Sequence, residues 1–220
     1  MNNPNHSASY HTPPQRHSRG KIQPLYHEMS FVGLDGQERL KVSATDLLPP
    51  GLRNIARKEN TWCGAETYFS ELDKLAAGEI HVSRVIGEYL PSPIIGVYSP
   101  ARAAQAGVPF APELAGYAGK ENPVGKRFLG LVRWATPVFR GTEKIGYVTL
   151  ALDHTHLMEF TDHVVPTTER YSDISDAGAG NYAFMWDDQG RNISHPRDYF
   201  IVGFDPKTGE QAVPWLSSEL

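Results

Sequence analysis

Two long β-forming segments separated by a four-residue turn constrain the fold of this chain more than any other feature. The segments are "RFLGLVRWATPVF" (127–139) and "KIGYVTLALD" (144–153), and "RGTE" lies between them. Val, Ile, Thr and aromatic residues are enriched in strands, and two such runs joined by a short turn containing Gly indicate a hairpin. We therefore predict an antiparallel hairpin at the centre of a β-sheet.

A second hairpin is predicted nearer the start of the chain. The segment 26–44 alternates apolar and polar residues about Asp35-Gly36. Asp-Gly between alternating hydrophobic residues is a strong hairpin signal, because the tight turn needs positive φ angles. Four apolar side chains are expected to share the buried face of this hairpin: Met29, Phe31, Leu40 and Val42.

The segments between the hairpins predict a mixed α+β fold. The segment 47–79 starts with a Pro-Pro break and continues with helical spacing of Tyr68, Leu72 and Leu75, and this pattern stops at Gly78. The segments 79–90 and 91–100 are typical of strands separated by a Pro-bounded turn. Residues 101–126, rich in Gly, Ala and Pro, predict a long loop of the kind that covers binding sites, and a short helix follows Asp153.

A short internal repeat predicts two related modules. "FVGLDGQERLKVS" (31–43) and "FMWDDQGRNISHP" (184–196) share an aromatic residue, an acidic turn with Gly, a basic residue and a strand. Common hairpin chemistry is the alternative explanation of this match. The predicted organisation is a flexible lead, a first module, a linker and the start of a second, incomplete module: 1–25, 26–160, 161–179 and 180–220.

Composition excludes several classes of function. The chain has 21 Lys and Arg against 25 Asp and Glu, a net charge of −4, and no basic cluster, so a nucleic-acid partner is not expected. A single cysteine, Cys63, excludes an internal disulfide. The longest strongly apolar run, 145–152, is far shorter than the roughly 20 residues of a membrane helix. The lead has no apolar core, so we expect any targeting and anchoring parts to lie outside this chain.

The order of these elements resembles the Cache sensor domains of bacterial receptors, which are PAS-like. The resemblance is carried by segments 26–43, 67–83 and 134–160, the last with a Pro-Val strand, a turn and a Gly-led apolar strand ending in Asp153. "GNYAFMWDDQGRNISHP" (180–196) is similar to the opening of a second Cache module. The resemblance implies an α+β fold with a PAS-like antiparallel sheet flanked by helices, and with the first hairpin of a second related module at the C-terminus.

The same resemblance implies a non-enzymatic sensor that binds a small molecule. The expected protein is a histidine kinase, chemoreceptor or cyclase-type receptor, with this part on the periplasmic face of the inner membrane. The expected ligand is a small organic acid or an amine, with no cofactor, and the full-length receptor is expected to be membrane-anchored and able to form dimers. The cluster typical of amino-acid sensors does not keep its spacing in "RKENTWCGAETYF" (57–69), so amino-acid binding is not implied.

Several side chains are candidates for ligand binding. Asp153 ends an apolar strand, where the resemblance implies a ligand contact; an N-cap for the following helix is the alternative role. Arg133 lies in an apolar strand and must face either solvent or a pocket, and if Trp134 faces the core then Arg133 faces out. Aromatic residues of the helix and loop complete the predicted ligand-binding set, which is Tyr68, Tyr98, Tyr117, Arg133, Trp134 and Asp153.

Two alternatives to the sensor remain open from the sequence. The first is an enzyme that uses a metal or histidine site at Asp153, His154 and His156, or at His195 with Asp198. The spacing of the first group is weak for a metal, and an exposed histidine at a strand end is the common explanation of His195. The second alternative is a PAS-like interaction module without a ligand.

Overall fold

The long central hairpin organises the computed structural model, which describes residues 25–46, 48–110, 121–122, 125–162, 182–195 and 197–212. The strands are β1 Tyr26–Val32, β2 Glu38–Ser43, β3 His81–Val82, β4 Ile86–Pro91, β5 Gly96–Val97, β6 Glu121–Asn122, β7 Lys126–Arg140, β8 Glu143–Asp153, β9 Met185–Trp186, β10 Asn192–Ser194, β11 Gly203–Phe204 and β12 Gln211–Ala212. The α-helices are α1 Phe69–Leu72, α2 Pro100–Gln105 and α3 Thr155–Asp162.

The main sheet is antiparallel throughout. Its order is β2, β1, β8, β7 and then the edge formed by β3 and β4, which both pair with β7. Strand β1 of the first hairpin therefore pairs with β8. The predicted central hairpin is formed by β7 and β8, whose last paired residues before the turn are Arg140 and Glu143. The predicted fold class, an α+β PAS-like antiparallel sheet flanked by helices, is confirmed.

The predicted buried face of the first hairpin is wrong. Leu40 and Val42 are each 63% exposed, whereas Glu28, Ser30 and Val32 on the other face of β1 are at most 2% exposed. Because side chains alternate along a strand, turning the charged face inward turns the whole apolar set outward. Ion pairs between the inward charges, described below, make this orientation tolerable.

The helix predicted over residues 47–79 is also mostly wrong. Short 3-10 turns at Lys58–Asn60 and Trp62–Gly64 replace its first half, and α1 is only four residues long. Cys63 has a φ angle of +54°, a left-handed conformation that ends a right-handed helix. The apolar spacing still serves the core, since Tyr68 and Leu72 are buried against Tyr147 and Val32.

The predicted loop at 101–126 begins with a helix. Ser99 caps α2 by accepting a hydrogen bond on Oγ from the Arg102 N–H at 3.3 Å, and Pro100 occupies the first helical position. Ala103 of α2 packs with Tyr98, Ile94 and the Met158 side chain of α3. The α3 helix itself was predicted and is confirmed.

Residues 182–212, apart from 196, form a C-terminal unit that packs on the β4 edge of the sheet. The predicted hairpin is present as β9 and β10, with Asp187 Oδ1 accepting hydrogen bonds from the Gln189 and Arg191 N–H groups in the turn. Tyr89 of β4 donates its hydroxyl hydrogen to the Ile201 carbonyl and also lies 3.0 Å from the Asp198 carbonyl oxygen. The domain boundaries predicted from the sequence stay a prediction.

No helix within the described ranges has the length and apolar character needed to cross a bilayer.

Candidate functional site

A cavity of about 640 Å³ follows the β3–β4 edge of the main sheet. Its walls come from the segment before and within α1, from the edge itself, from the central hairpin and from the C-terminal unit. The edge strand is interrupted at residues 83–85, where Ser83 alone holds to β7: its N–H donates to the Arg133 carbonyl at 2.8 Å and its Oγ accepts from the Arg133 N–H at 2.9 Å. This interruption opens the sheet edge to the cavity.

The inner part of the cavity is apolar. Val132 and Trp134 of β7 and Leu152 of β8 line it from the outward face of the sheet, and Met185 and Ile193 line it from the C-terminal hairpin. Trp134 is 37% exposed there. A cavity of this size with apolar walls and a few polar groups is the usual form of a small-molecule site.

The rim of the cavity carries charge. Arg191 holds Asp187 through Nε and Nη2, both 2.8 Å from Asp187 Oδ2. Arg84 lies between β3 and β4, and its guanidinium carbon is 5.2 Å from the centre of the Phe204 ring. Burial and the positive charge of Arg191 lower the pKa of Arg84.

A charged network, consisting of Glu28, Glu38, Lys41, Glu66 and Arg133, fills the inward face of the sheet next to this cavity. Arg133 donates from Nε to Glu66 Oε1 and from Nη1 to Glu28 Oε1, each at 2.6 Å. Lys41 Nζ lies 2.6 Å from Glu38 Oε2 and 3.4 Å from Glu28 Oε2. These five side chains are at most 3% exposed, so each charge is paired out of contact with water.

The network contains three carboxylates and two cations, and backbone N–H groups donate further hydrogen bonds to the carboxylates. Glu38 Oε2 accepts the Arg53 N–H at 2.8 Å, and Glu66 Oε2 accepts the Trp62 N–H at 3.0 Å. Burial alone raises the pKa of Glu28, but the charges of Arg133 and Lys41 outweigh it and the pKa is lowered. Burial likewise opposes the charge of Arg133, and the carboxylates of Glu66 and Glu28 more than compensate, so its pKa is raised.

The structure brings two of the predicted ligand-binding residues to the cavity, Tyr68 and Trp134. The Tyr68 ring lies 5.8 Å from the Arg133 guanidinium carbon, and burial raises the pKa of its phenol. Arg133 and Trp134 face opposite sides of the sheet as predicted, with Arg133 inward and Trp134 outward. The guanidinium of Arg133 is directed at protein carboxylates.

The other predicted ligand-binding residues lie elsewhere. Asp153 Oδ1 accepts the Thr155 N–H at 2.9 Å and is 3.7 Å from His27 Nε2, which is the predicted capping role. These contacts outweigh the effect of burial and lower the pKa of Asp153 to about 2. Tyr98 belongs to the apolar cluster between α2 and α3, and Tyr117 lies outside the described residues.

The histidines of the alternative enzyme are buried. His154 bonds through Nε2 to the Ile193 carbonyl oxygen, and its ring meets Phe128 edge-on. His195 is 7% exposed and packs against Phe184 and Phe200, so its expected exposure at a strand end is wrong. In the part of the chain that the structure describes, no three His, Cys, Asp or Glu side chains are grouped to hold a metal ion.

Sequence reasoning missed Arg84 and Arg191, the two arginines of the cavity. Arg84 stands in "HVSRVIG" (81–87), which is typical of one continuous strand. The signal that distinguishes it is the polar pair Ser83-Arg84 in an apolar run, since the Ser83 hydroxyl can replace a backbone acceptor of the ladder where the strand breaks, as it does for the Arg133 N–H. Arg191 follows the predicted turn of the C-terminal hairpin and lines the cavity because the C-terminal unit packs on the rest of the fold, with β11 against β4 and β10 against α3.

Comparison with known proteins gives similarity at the level of structure alone. No family model matches the chain, and no curated protein matches it. The chain is similar to the extracellular domain of a protein assigned as a histidine kinase, with a TM-score of 0.38 and 14% identity over 66% of this chain and 40% of that chain. It is also similar to a domain of a sensory box/GGDEF family protein from Vibrio parahaemolyticus, with a TM-score of 0.37 and 14% identity over 67% of this chain and 43% of that chain.

The chain thus spans about two fifths of the length of each of these solved chains.

Proposed function

We propose that this chain is the extracytoplasmic small-molecule sensor domain of a bacterial signal-transduction receptor. A ligand binds in the cavity along the β3–β4 edge, and its binding signals to the membrane helices of the receptor. The function is binding without catalysis. The observation that carries the proposal is the cavity itself, a space of about 640 Å³ with apolar inner walls and charged groups at its rim.

Signalling follows from the two parts of the molecule that line the cavity. The main sheet supplies Val132 and Trp134, and the C-terminal unit supplies Met185 and Ile193. A ligand that contacts both parts binds best to one arrangement of them and shifts the population toward it. The equilibrium moves only by the difference in the ligand's affinity for the two arrangements, so contacts on both sides are essential.

The wall that carries Glu66 gives the cavity a rigid connection to the far edge of the sheet. Glu66 lines the cavity and pairs with Arg133. Arg133 also pairs with Glu28, and Glu28 pairs with Lys41 of the edge strand β2. Since each link is a buried ion pair, displacement of one member is costly unless the others follow. We propose that ligand binding at the cavity changes this network together with the sheet.

A thermal-shift screen against organic acids, amines and sugars tests the proposal. A ligand that binds the folded state alone stabilises it by about 2.7 kcal/mol at 100 times its dissociation constant, so a melting temperature higher by several degrees is expected. Val82→Trp should abolish the shift, because Val82 lines the cavity and an indole would fill it.

Val42→Trp is the matched control. Val42 stands in the same cross-strand row of the outward sheet face, through Met29, Leu150 and Trp134, but does not line the cavity. Retained binding in this variant is expected. The proposal is wrong if no compound raises the melting temperature of the wild-type chain, or if Val82→Trp responds as the wild type does.

A further inference from the structure

Arg84 lies at the edge of the cavity and forms no direct ion pair with the carboxylates that the structure describes. Its guanidinium carbon lies 5.2 Å from the centre of the Phe204 ring. Burial and the neighbouring positive charge of Arg191 lower the pKa of Arg84, and the negative charge of Asp187 offsets them only in part. Both effects oppose the charged form of the guanidinium, and an anion placed beside it would relieve them.

The acidic side chains of the cavity are already engaged, with one exception. Asp187 accepts two hydrogen bonds from the Arg191 side chain, Glu71 lies 2.6 Å from Lys74 Nζ, and Glu66 is held by Arg133. The exception is Asp188, which is exposed on the turn of the C-terminal hairpin. Arg191, which lines the cavity, directs Nε and Nη2 at Asp187, and its Nη1 does not take part in that pair.

We propose that the cavity takes a small carboxylate with an apolar body, its anionic group bound by Arg84 and Arg191 and its body against Trp134 and Val132. This inference rests on the proposed sensor function and names the ligand class of the same cavity. Guanidinium groups match carboxylates in geometry and charge, and the apolar walls accept a ring or a branched chain.

The two arginines belong to different parts of the molecule, which gives the anion a role in signalling. Arg84 lies on the edge of the main sheet, whereas Arg191 lies on the hairpin of the C-terminal unit. Without a further anion the two like charges repel each other, and Asp187, which Arg191 already holds, offsets this repulsion only in part. With the anion bound, the C-terminal unit is held against the sheet edge.

Three compounds of one shape test the ligand class: benzoate, benzamide and benzamidinium. Each has the same ring, and they differ in carrying a negative, a neutral or a positive group. Titration of the whole chain, followed by calorimetry or by chemical-shift changes, should give benzoate a dissociation constant at least about tenfold lower than that of benzamide, with benzamidinium weakest. This scale follows from a charge-assisted hydrogen bond.

Substitution at the cavity rim identifies the groups responsible. Arg84→Gln should weaken benzoate binding about 10- to 100-fold and leave benzamide unchanged, because only the charged contact is lost. Arg57→Gln removes the same charge at an exposed position that does not line the cavity, and it should leave all three affinities unchanged. Asp188→Asn should tighten benzoate binding by removing a like charge.

The outcomes separate this inference from the proposed function. Benzamide or benzamidinium binding as tightly as benzoate overturns the carboxylate and leaves the cavity as a ligand site. Equal loss of benzoate affinity in Arg84→Gln and Arg57→Gln also overturns it. If none of the three compounds binds and the broad screen gives no ligand either, both the inference and the proposed function fail.

Discussion

At the scale of single residues, Arg133 and its neighbour Trp134 show how partners decide which side chain is buried. The larger apolar residue, Trp134, is 37% exposed, while the arginine is 2% exposed. An unpaired buried guanidinium would be very costly, but Glu28 and Glu66 come from β1 and from the segment before α1 to meet it. Neither carboxylate is near Arg133 in sequence.

Removal of Arg133 should therefore be among the most damaging single substitutions in the chain. Arg133→Met leaves Glu28 and Glu66 buried without their cation, and we expect the free energy of unfolding to fall by about 3–5 kcal/mol. Urea unfolding followed by circular dichroism measures the change.

Arg39→Met is the control for this experiment. Arg39 pairs with Asp35 at 2.7 Å, but both side chains are more than half exposed, so a loss below about 1 kcal/mol is expected. The triple variant with Glu28→Gln, Arg133→Met and Glu66→Gln should regain part of the stability, since it buries no unpaired charge. A loss in Arg133→Met no larger than that in Arg39→Met would contradict the role of the network.

Asp153 gives a prediction for acid stability. Its pKa is lowered to about 2 from an ordinary value of 3.8, so the folded state binds this proton less readily than the unfolded state. The resulting stabilisation, about 2 kcal/mol, is fully present above pH 4 and is lost as the pH falls toward 2.

Asp153→Asn keeps an oxygen to accept the Thr155 N–H but cannot ionise. We expect the variant to be less stable than the wild type at neutral pH and the difference to disappear between pH 4 and pH 2. Urea midpoints at a series of pH values measure it. A stability difference that stays constant down to pH 2 would show that the charge of Asp153 does not contribute.

At the scale of elements, the hairpins were predictable and their orientation was not. Asp35-Gly36 and the β-forming runs about Gly141 predict strands and turns from local chemistry alone, and both hairpins are confirmed. The inward face of β1 and β2 is the charged one, since its ion pairs require partners from β7 and from the segment before α1. The helix predicted over 47–79 is mostly wrong because apolar spacing alone does not require a helix. Short 3-10 turns and the four-residue α1 also bring Tyr68 and Leu72 into the core.

A pair of identical substitutions tests the orientation of the first hairpin. Val32→Thr places a hydroxyl at a site with 0% exposure, and a loss of about 1–3 kcal/mol in the free energy of unfolding is expected. Val42→Thr makes the same change at 63% exposure and should alter stability by less than about 0.5 kcal/mol. Equilibrium unfolding measures both changes. A larger loss in Val42→Thr than in Val32→Thr would show that the apolar face predicted from the sequence is the buried one.

At the scale of the whole molecule, packing of the C-terminal unit on β4 creates the candidate site. Several contacts among the described residues hold it in place: Tyr89 reaches the backbone of the 198–201 turn, Asp198 Oδ2 accepts the Phe128 N–H at 3.0 Å, and His154 bonds to the Ile193 carbonyl oxygen. Gly203 approaches the Tyr89 ring so closely that an added Cβ would lie 2.6 Å from it. These contacts position Met185, Arg191 and Ile193 against the sheet.

Tyr89→Phe should loosen the C-terminal unit selectively. It removes the hydroxyl that bonds to the 198–201 turn, at a cost of about 1–2 kcal/mol. Native-state hydrogen exchange should then be faster in β10 and β11 and unchanged in β1 and β8. Tyr26→Phe, at a half-buried tyrosine of β1, is the matched control. Equal acceleration in all strands, or none, would contradict this coupling.

The sequence by itself determined the two hairpins of the main sheet and their turns, because these depend on residues close together in the chain. It also predicted that Arg133 and Trp134 face opposite sides, through the two-residue period of a strand. Only the tertiary structure decided which side is buried, since the carboxylates that neutralise Arg133 come from distant segments. The cavity and its arginines depend on the same kind of contact: Arg84 and Arg191 are 107 positions apart and meet only because the C-terminal unit packs on the sheet edge.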